Sequence, residues 1–188
     1  MRAGPEVGSG AARPEMNKNG HMLGKDEVLG LLEKWDIPFT CEEHSSVFNM
    51  SESGLLTLSL TGARCKNLLL QNKKDNYFLV VTTATKSLNL VELADALGSK
   101  RLSFASADKL LELLGIRSGS LSPLALVNDK AGRVRLVIDA ELRDEDNFLF
   151  HPLENNASVS LSRHGLDEFL RHVEHPVEWF SGCARQDA

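Results

Sequence analysis

The chain has 188 residues, 42% of them hydrophobic and 25% charged, which suits one packed core rather than two full domains. Its formal net charge of -5 excludes a generally basic nucleic-acid binder, although a local basic rim remains open. Three cysteines, without CxxC or Cys/His ligand spacing, argue against a disulfide framework and a zinc site and for reduced thiols in a cytoplasmic protein.

No apolar run reaches the length of a membrane span, and the N-terminus lacks a signal-peptide core. Residues 1–22 are rich in small and polar types and read as a disordered leader or a leftover of cloning. The folded domain is placed at 23–180, with a flexible tail at 181–188. From Lys25, Val28, Leu31, Leu32 and Trp35 recur at helical spacing, with Asp26 and Glu27 in the first turn and Pro38 as the breaker. Phe39 to His44 reads as a strand, and Ser51 as the cap of a helix over Glu52 to Leu60.

A hairpin follows, with strands Asn67 to Leu70 and Tyr77 to Thr83 around a polar turn at Asn72 to Asn76. Leu90 to Leu97 forms a helix stopped by Gly98, and Arg101 to Phe104 a short strand. Ser106 caps a helix through Leu114 that Gly115 ends. Beyond the loop Gly119 to Pro123, Leu124 to Val127 and Val134 to Asp139 read as a second hairpin. Phe148 to Phe150 and Ala157 to Leu161 are further strands, and Ser162 caps a last helix over Gly165 to Val173. Helices and strands mix without strict alternation, so the expected class is α+β, a mixed and mostly antiparallel sheet flanked by helices.

P-loop, GxGxxG, HExxH and GxSxG motifs are absent. His172 and His175 read as solvated residues near a helix C-terminus. Three segments carry more chemistry. Lys66 with Asn67 opens an apolar strand, where a lysine is either a plain strand-end charge or a holder of polar substrate. Gly119-Ser120-Leu121-Ser122-Pro123 is either a connector or a rigid loop whose backbone groups face a ligand. His151-Pro152-Leu153-Glu154-Asn155-Asn156 is either ordinary turn chemistry or a set of donors around a bound ester or ribose.

These segments, with Leu102-Ser103-Phe104-Ala105-Ser106 and Leu114-Gly115 between them, resemble the YbaK/ProX family in content and in order over roughly Lys25 to Phe180. Within it the nearest likeness is to stand-alone alanyl-tRNA(Pro) deacylases. The resemblance implies a metal-free, cofactor-free trans-editing hydrolase that cleaves mischarged tRNA(Pro), with alanine as the removed residue. It implies that Lys66 and the backbone of Gly119 serve catalysis and that Asn67, Ser120, Pro123, His151 and Asn155 bind substrate. Water attacks the ester, the lysine holds the substrate, and pocket size rejects proline.

Arg64, Lys73, Lys74, Lys100 and Arg101, with Lys86, are the basic residues available for a tRNA rim near the lysine, or are solvated surface charges. Aminoacyl-tRNA(Pro) and a prolyl-tRNA synthetase are the implied partners, with neither DNA nor membrane among them. The chain departs from the family pattern at His44-Ser45-Ser46-Val47-Phe48-Asn49-Met50-Ser51-Glu52 and at Cys65, where threonine is usual; Ala157-Ser158 differs mildly. These departures leave cysteinyl-, seryl-, threonyl- or 2-aminobutyryl-tRNA open as substrates, beside a non-catalytic relative that binds tRNA or a synthetase.

Overall fold

A computed structural model describes residues 21–46 and 58–185. Residues 1–20 of the expected leader, Ser51 and residues 52–57 of the helix expected at Glu52 to Leu60 lie outside these residues, and 58–60 are not helical. Helix α1 (Lys25–Lys34) starts where the Glu27 carboxylate accepts the Gly24 N–H at 2.7 Å, and it buries Val28 and Leu32. Strand β1 (Phe39–Glu43) follows Pro38. The hairpin strands are β2 (Ala63–Gln71) and β3 (Tyr77–Thr83). β2 thus begins four residues earlier than the apolar run suggested, because its first half is polar on one face.

Helix α2 (Leu90–Ala96) is capped by Asn89, whose side chain accepts from the Val91 and Glu92 N–H groups. β4 (Ser103–Phe104) is followed by α3 (Ala107–Leu114), which Ser106 caps and Gly115 closes at φ 65. Pro123–Asn128 is a 3-10 helix and not the expected strand. Pro123 opens it with a preset φ, Ala125 N donates to the Ser122 carbonyl at 3.0 Å, and all six residues are buried. β5 (Val134–Asp139) therefore has no hairpin partner there; it lies parallel to β3.

A short 3-10 turn, Ala140–Leu142, leads to β6 (Asn147–Phe150) and β7 (Ala157–Ser162). Helix α4 (Arg163–His172) is capped by Ser162, which accepts from Gly165 N at 3.0 Å. A last strand, β8 (Val177–Phe180), was not foreseen.

The eight strands form one mixed sheet in the order β1-β7-β6-β2-β3-β5-β8, with β4 also on β2. Four of its pairings are antiparallel (β1–β7, β6–β7, β2–β3, β2–β4) and three parallel (β2–β6, β3–β5, β5–β8). One face packs on α1, α3, α4 and the six-residue 3-10 helix through Val28, Leu32, Leu113, Leu124, Leu166 and Phe169. The other face is covered by α2 over Leu70, Phe78, Val80 and Val137.

β2 enters beneath β6 at Gly62, whose φ is 150 and where an added Cβ would stand 3.0 Å from the Phe148 carbonyl carbon, so glycine is required there. The tail expected from residue 181 is anchored through 185: Asn89 N donates to the Cys183 carbonyl and Arg185 N to the Ser87 carbonyl, both at 2.7 Å. Among the described residues no helix is long and apolar enough to cross a membrane.

Candidate active site

β2 has two partners on one edge. β6 pairs with its start, at Ala63 and Arg64, and β4 with its end, at Leu70 and Gln71. Cys65 to Leu68, about 13 Å of strand, have no strand neighbour on that edge. Leu69 turns its carbonyl to this side, where it accepts from Ala105 N at 2.9 Å. Alternation then points the peptide N–H and C=O of Asn67 the same way, into the open notch. The Asn67 side-chain Oδ1 is itself buried and without a hydrogen-bond partner. Buried polar groups are nearly always satisfied, so these orphan groups mark a place for a ligand.

The notch gathers four segments, the three chemistry-bearing ones of the sequence and the Leu102 to Ser106 stretch. Lys66 and Asn67 form its floor, Ser103 to Ala105 one wall, and the end of β6 at His151 the other. The fourth, the Gly119 to Pro123 loop, is tied to the His151 wall because Ser122 Oγ donates to the His151 carbonyl at 2.7 Å. Gly119 has φ 88, a conformation that side chains disfavour. Ser120 is buried and its N–H donates to the Arg117 carbonyl at 3.2 Å; Pro123 is buried at the head of its 3-10 helix. Leu153, also buried, adopts φ 66 and donates its N–H to the His151 carbonyl at 3.0 Å, a tight turn around Pro152. Asn155 is half-buried in the same β6–β7 connection.

Lys66 and Asn67 do not share a face. Cys65, Leu69 and the register partner of Asn67, Val81, belong to the first core, so Asn67 points that way and Lys66 the other. Lys66 Nζ donates to the Lys86 carbonyl at 2.6 Å. Arg64 shares the Lys66 face, and the register from Leu149 to Ser160 to Thr40 extends that face to Glu42, Ser158 and His44. There His44 Nε2 lies 2.9 Å from Ser158 Oγ, and its ring stands 6.1 Å from that of His151. In the sequence His44 and Ser158 stand out only as parts of segments that depart from the family pattern; the end of strand β1 is the available signal. Cys65 points into the first core, away from Lys66, and burial pushes its thiol up to about 12, so it is a packing group.

His151 is half-buried: burial is the main influence and holds the ring below the ordinary imidazole value, with the His44 charge acting in the same direction. Its Nδ1 lies 2.8 Å from the Ala157 carbonyl. A carbonyl only accepts, so Nδ1 carries the proton and Nε2 of the neutral ring is an acceptor.

The basic residues divide. Arg64 is on the Lys66 face. Lys73, Lys74, Lys100 and Arg101 are exposed at the other end of β2, where Asn72 Nδ2 bonds Ser99 Oγ. That is about 17 Å along the strand from Lys66, so they are no rim around the lysine. Lys86 is not a free surface cation: its side chain is 7% exposed and paired with Asp139 and Glu141.

A cavity of about 410 Å³ lies elsewhere, beside Asp129, Lys130, His172 and His175. His175 is not solvated, as expected from sequence, but buried, with its ring nitrogens on the Val173 carbonyl and the Asp129 carboxylate. His172 stacks on Trp35 with ring centroids 4.4 Å apart. Among the described residues no group of three or more His, Cys, Asp and Glu could hold a metal ion.

The model of the aminoacyl-tRNA editing domain family matches residues 46–169. The chain belongs to that family. Its enzyme class is aminoacyl-tRNA deacylase. Among similar proteins, the prolyl-tRNA editing protein ProX of Acetoanaerobium sticklandii is 32% identical over 151 residues, 80% of this chain and 92% of its own. Prolyl-tRNA synthetase associated domain-containing protein 1 of Danio rerio is 35% identical over 153 residues, 80% of this chain and 83% of its own. A crystal structure described as a proposed trans-editing enzyme for prolyl tRNA synthetase superposes with TM-score 0.62 at 19% identity, covering 81% of this chain and 93% of that one. The editing-domain fold, a single domain with a mixed sheet, is therefore shared.

Proposed function

We propose that the protein is a trans-editing hydrolase that removes alanine from mischarged tRNA(Pro) in the cytoplasm, with water as nucleophile and no metal. The observation that carries the reading is the notch at Asn67, with its unpaired peptide edge and unpartnered buried amide oxygen; the Gly119 loop is tied through Ser122 to the carbonyl of His151, whose ring is neutral. The ProX relative is named for prolyl-tRNA editing, which supplies the tRNA.

An aminoacyl ester is already activated, so positioning and fixed dipoles suffice to accelerate its hydrolysis. Lys66 holds the charged substrate through the donors that its bond to the Lys86 carbonyl leaves over. The Asn67 peptide and amide groups meet the polar part of the aminoacyl moiety. His151 Nε2 accepts from a ribose hydroxyl, and the backbone around Gly119 faces the carbonyl that becomes an oxyanion. Ser120, Pro123 and Asn155 shape and rim the pocket, which admits the alanine methyl and rejects the proline ring by clash.

The test is deacylation of Ala-tRNA(Pro) and Pro-tRNA(Pro) by wild type and Lys66→Ala. Only alanine should be released, and Lys66→Ala should slow its release at least about a hundredfold with an unchanged circular dichroism spectrum. Equal rates for both enzymes would remove the role given to Lys66. Release of cysteine, serine, threonine or 2-aminobutyrate in preference to alanine would change the substrate and keep the chemistry.

A further inference from the structure

We infer that the buried Lys86–Asp139 ion pair is a positioning element for Lys66, acting through the main-chain carbonyl of Lys86. The inference rests on the substrate-holding role given to Lys66 above. Lys66 Nζ has one acceptor, the Lys86 carbonyl at 2.6 Å. A neutral carbonyl aims an ammonium without cancelling its charge, as a carboxylate would, and leaves two N–H donors for another partner.

That carbonyl sits in the turn after β3, where Lys86 N donates to the Thr83 carbonyl at 3.3 Å. A turn alone fixes a carbonyl poorly. Here the Lys86 side chain is itself held, with Nζ 2.7 Å from Asp139 Oδ2 and 2.6 Å from Glu141 Oε1. Asp139 is fully buried at the end of β5 and accepts Thr82 Oγ1 at 2.6 Å and the Glu141 N–H at 3.1 Å. Thr82 is the register partner of Lys66 on β3. The contacts thus close a ring from Lys66 through Lys86, Asp139 and Thr82 back to the strand that bears Lys66.

Residues 87–89 of the same turn are clamped by the chain terminus, through the Ser87 carbonyl to Arg185 N and Asn89 N to the Cys183 carbonyl. Burial works against the Lys86 ammonium, but its bonds to Asp139 and Glu141 outweigh that and raise its proton affinity above the ordinary lysine value. Lys86 therefore stays charged through neutral pH. A buried pair of this kind adds little to stability against an apolar replacement, which leaves orientation as what it contributes.

The experiment is single-turnover deacylation of Ala-tRNA(Pro) by Lys86→Met, Lys86→Arg, Asp139→Asn and Lys66→Ala, and by Lys66→Ala combined with Lys86→Met. Thermal melts establish which variants fold, and Lys86→Met carries the test if Asp139→Asn does not. Lys86→Met should lose about tenfold to a hundredfold in rate at saturating tRNA, with the half-saturating tRNA concentration changed less than about twofold. Lys86→Arg, which can still reach Asp139, should recover most of that loss. In the Lys66→Ala background Lys86→Met should cost less than about twofold more, because both act through one group. A folded Lys86→Met with the wild-type rate, or a full additional loss in the double variant, overturns the inference while Lys66 keeps its role. Lys66→Ala as active as wild type overturns both.

Discussion

His151 enters the site with its charge already set by its surroundings. Burial disfavours the imidazolium, and the Ala157 carbonyl only partly offsets that, so the ring is neutral at and below neutral pH. The folded ring binds a proton less readily than the unfolded one. Its contribution to stability is therefore full above the unfolded value of about 6.5 and is lost as pH falls through the folded value. Activity should follow the same ring: a pH–rate profile should show an acid limb with its midpoint below about 6.5, and His151→Gln should lower the rate and abolish that limb. An unchanged limb in His151→Gln would assign it to another group. At this scale the sequence was informative where chemistry is local. Gly119 stood out because a Gly and a Pro bracket polar residues, and Lys66 because it opens an apolar strand. It was misleading for neighbours: Asn67 and Cys65 flank Lys66 in the chain, yet strand alternation turns both away from it. His175 looked solvated because its partner, Asp129, is 46 residues away.

Between elements, Asn128 does what no helix or strand propensity reveals. Its side chain accepts Leu23 N at 2.8 Å and donates to the carbonyls of Leu23 and Leu114 at 3.0 and 2.9 Å. One buried amide thus pins the entry to α1 against the end of α3. Asn128→Ala should cost about 2–4 kcal/mol by urea unfolding, since it strands three backbone groups, while the deacylation rate of the folded fraction stays at the wild-type level. Caps and stops were the most legible features here: Ser106, Gly115 and Ser162 sit where side-chain chemistry predicts. Pro123–Asn128 was not, because a short continuous apolar run fits a buried strand and a buried 3-10 helix alike. β8 was missed because four residues after a proline carry little signal alone; what makes it a strand is β5 beside it, with Arg135 and Glu178 joined across the pair at 2.7 Å.

For the molecule as a whole, an acidic protein of net charge -5 has to meet a polyanion. Its exposed cations Lys73, Lys74, Lys100 and Arg101 collect at the hairpin end of β2, roughly 17 Å from Lys66. Under the proposed function, a charged tRNA whose 3′ end reaches the notch extends far past that distance, and the expectation is that these residues meet its backbone rather than its aminoacyl end. Reversing all four to Glu should lower kcat/KM about tenfold or more at low salt and flatten the dependence of log kcat/KM on log salt, with single-turnover chemistry at saturating tRNA unchanged. An unaltered slope would exclude the patch from the encounter. The mixed sheet flanked by helices was readable from the order of elements, because pattern and connection length constrain it. The notch was not readable, since it arises from where β6 and β4 stop along β2 and no residue of β2 encodes its neighbours' ends. That interruption has a consequence for isotope labelling. The Asn67 amide proton, midway along a central strand and flanked by ladder-protected neighbours, should exchange with deuterium at the pace of a loop amide. It should slow markedly when a non-hydrolysable aminoacyl-adenosine fills the notch, giving each molecule a single-site occupancy reporter that needs no turnover.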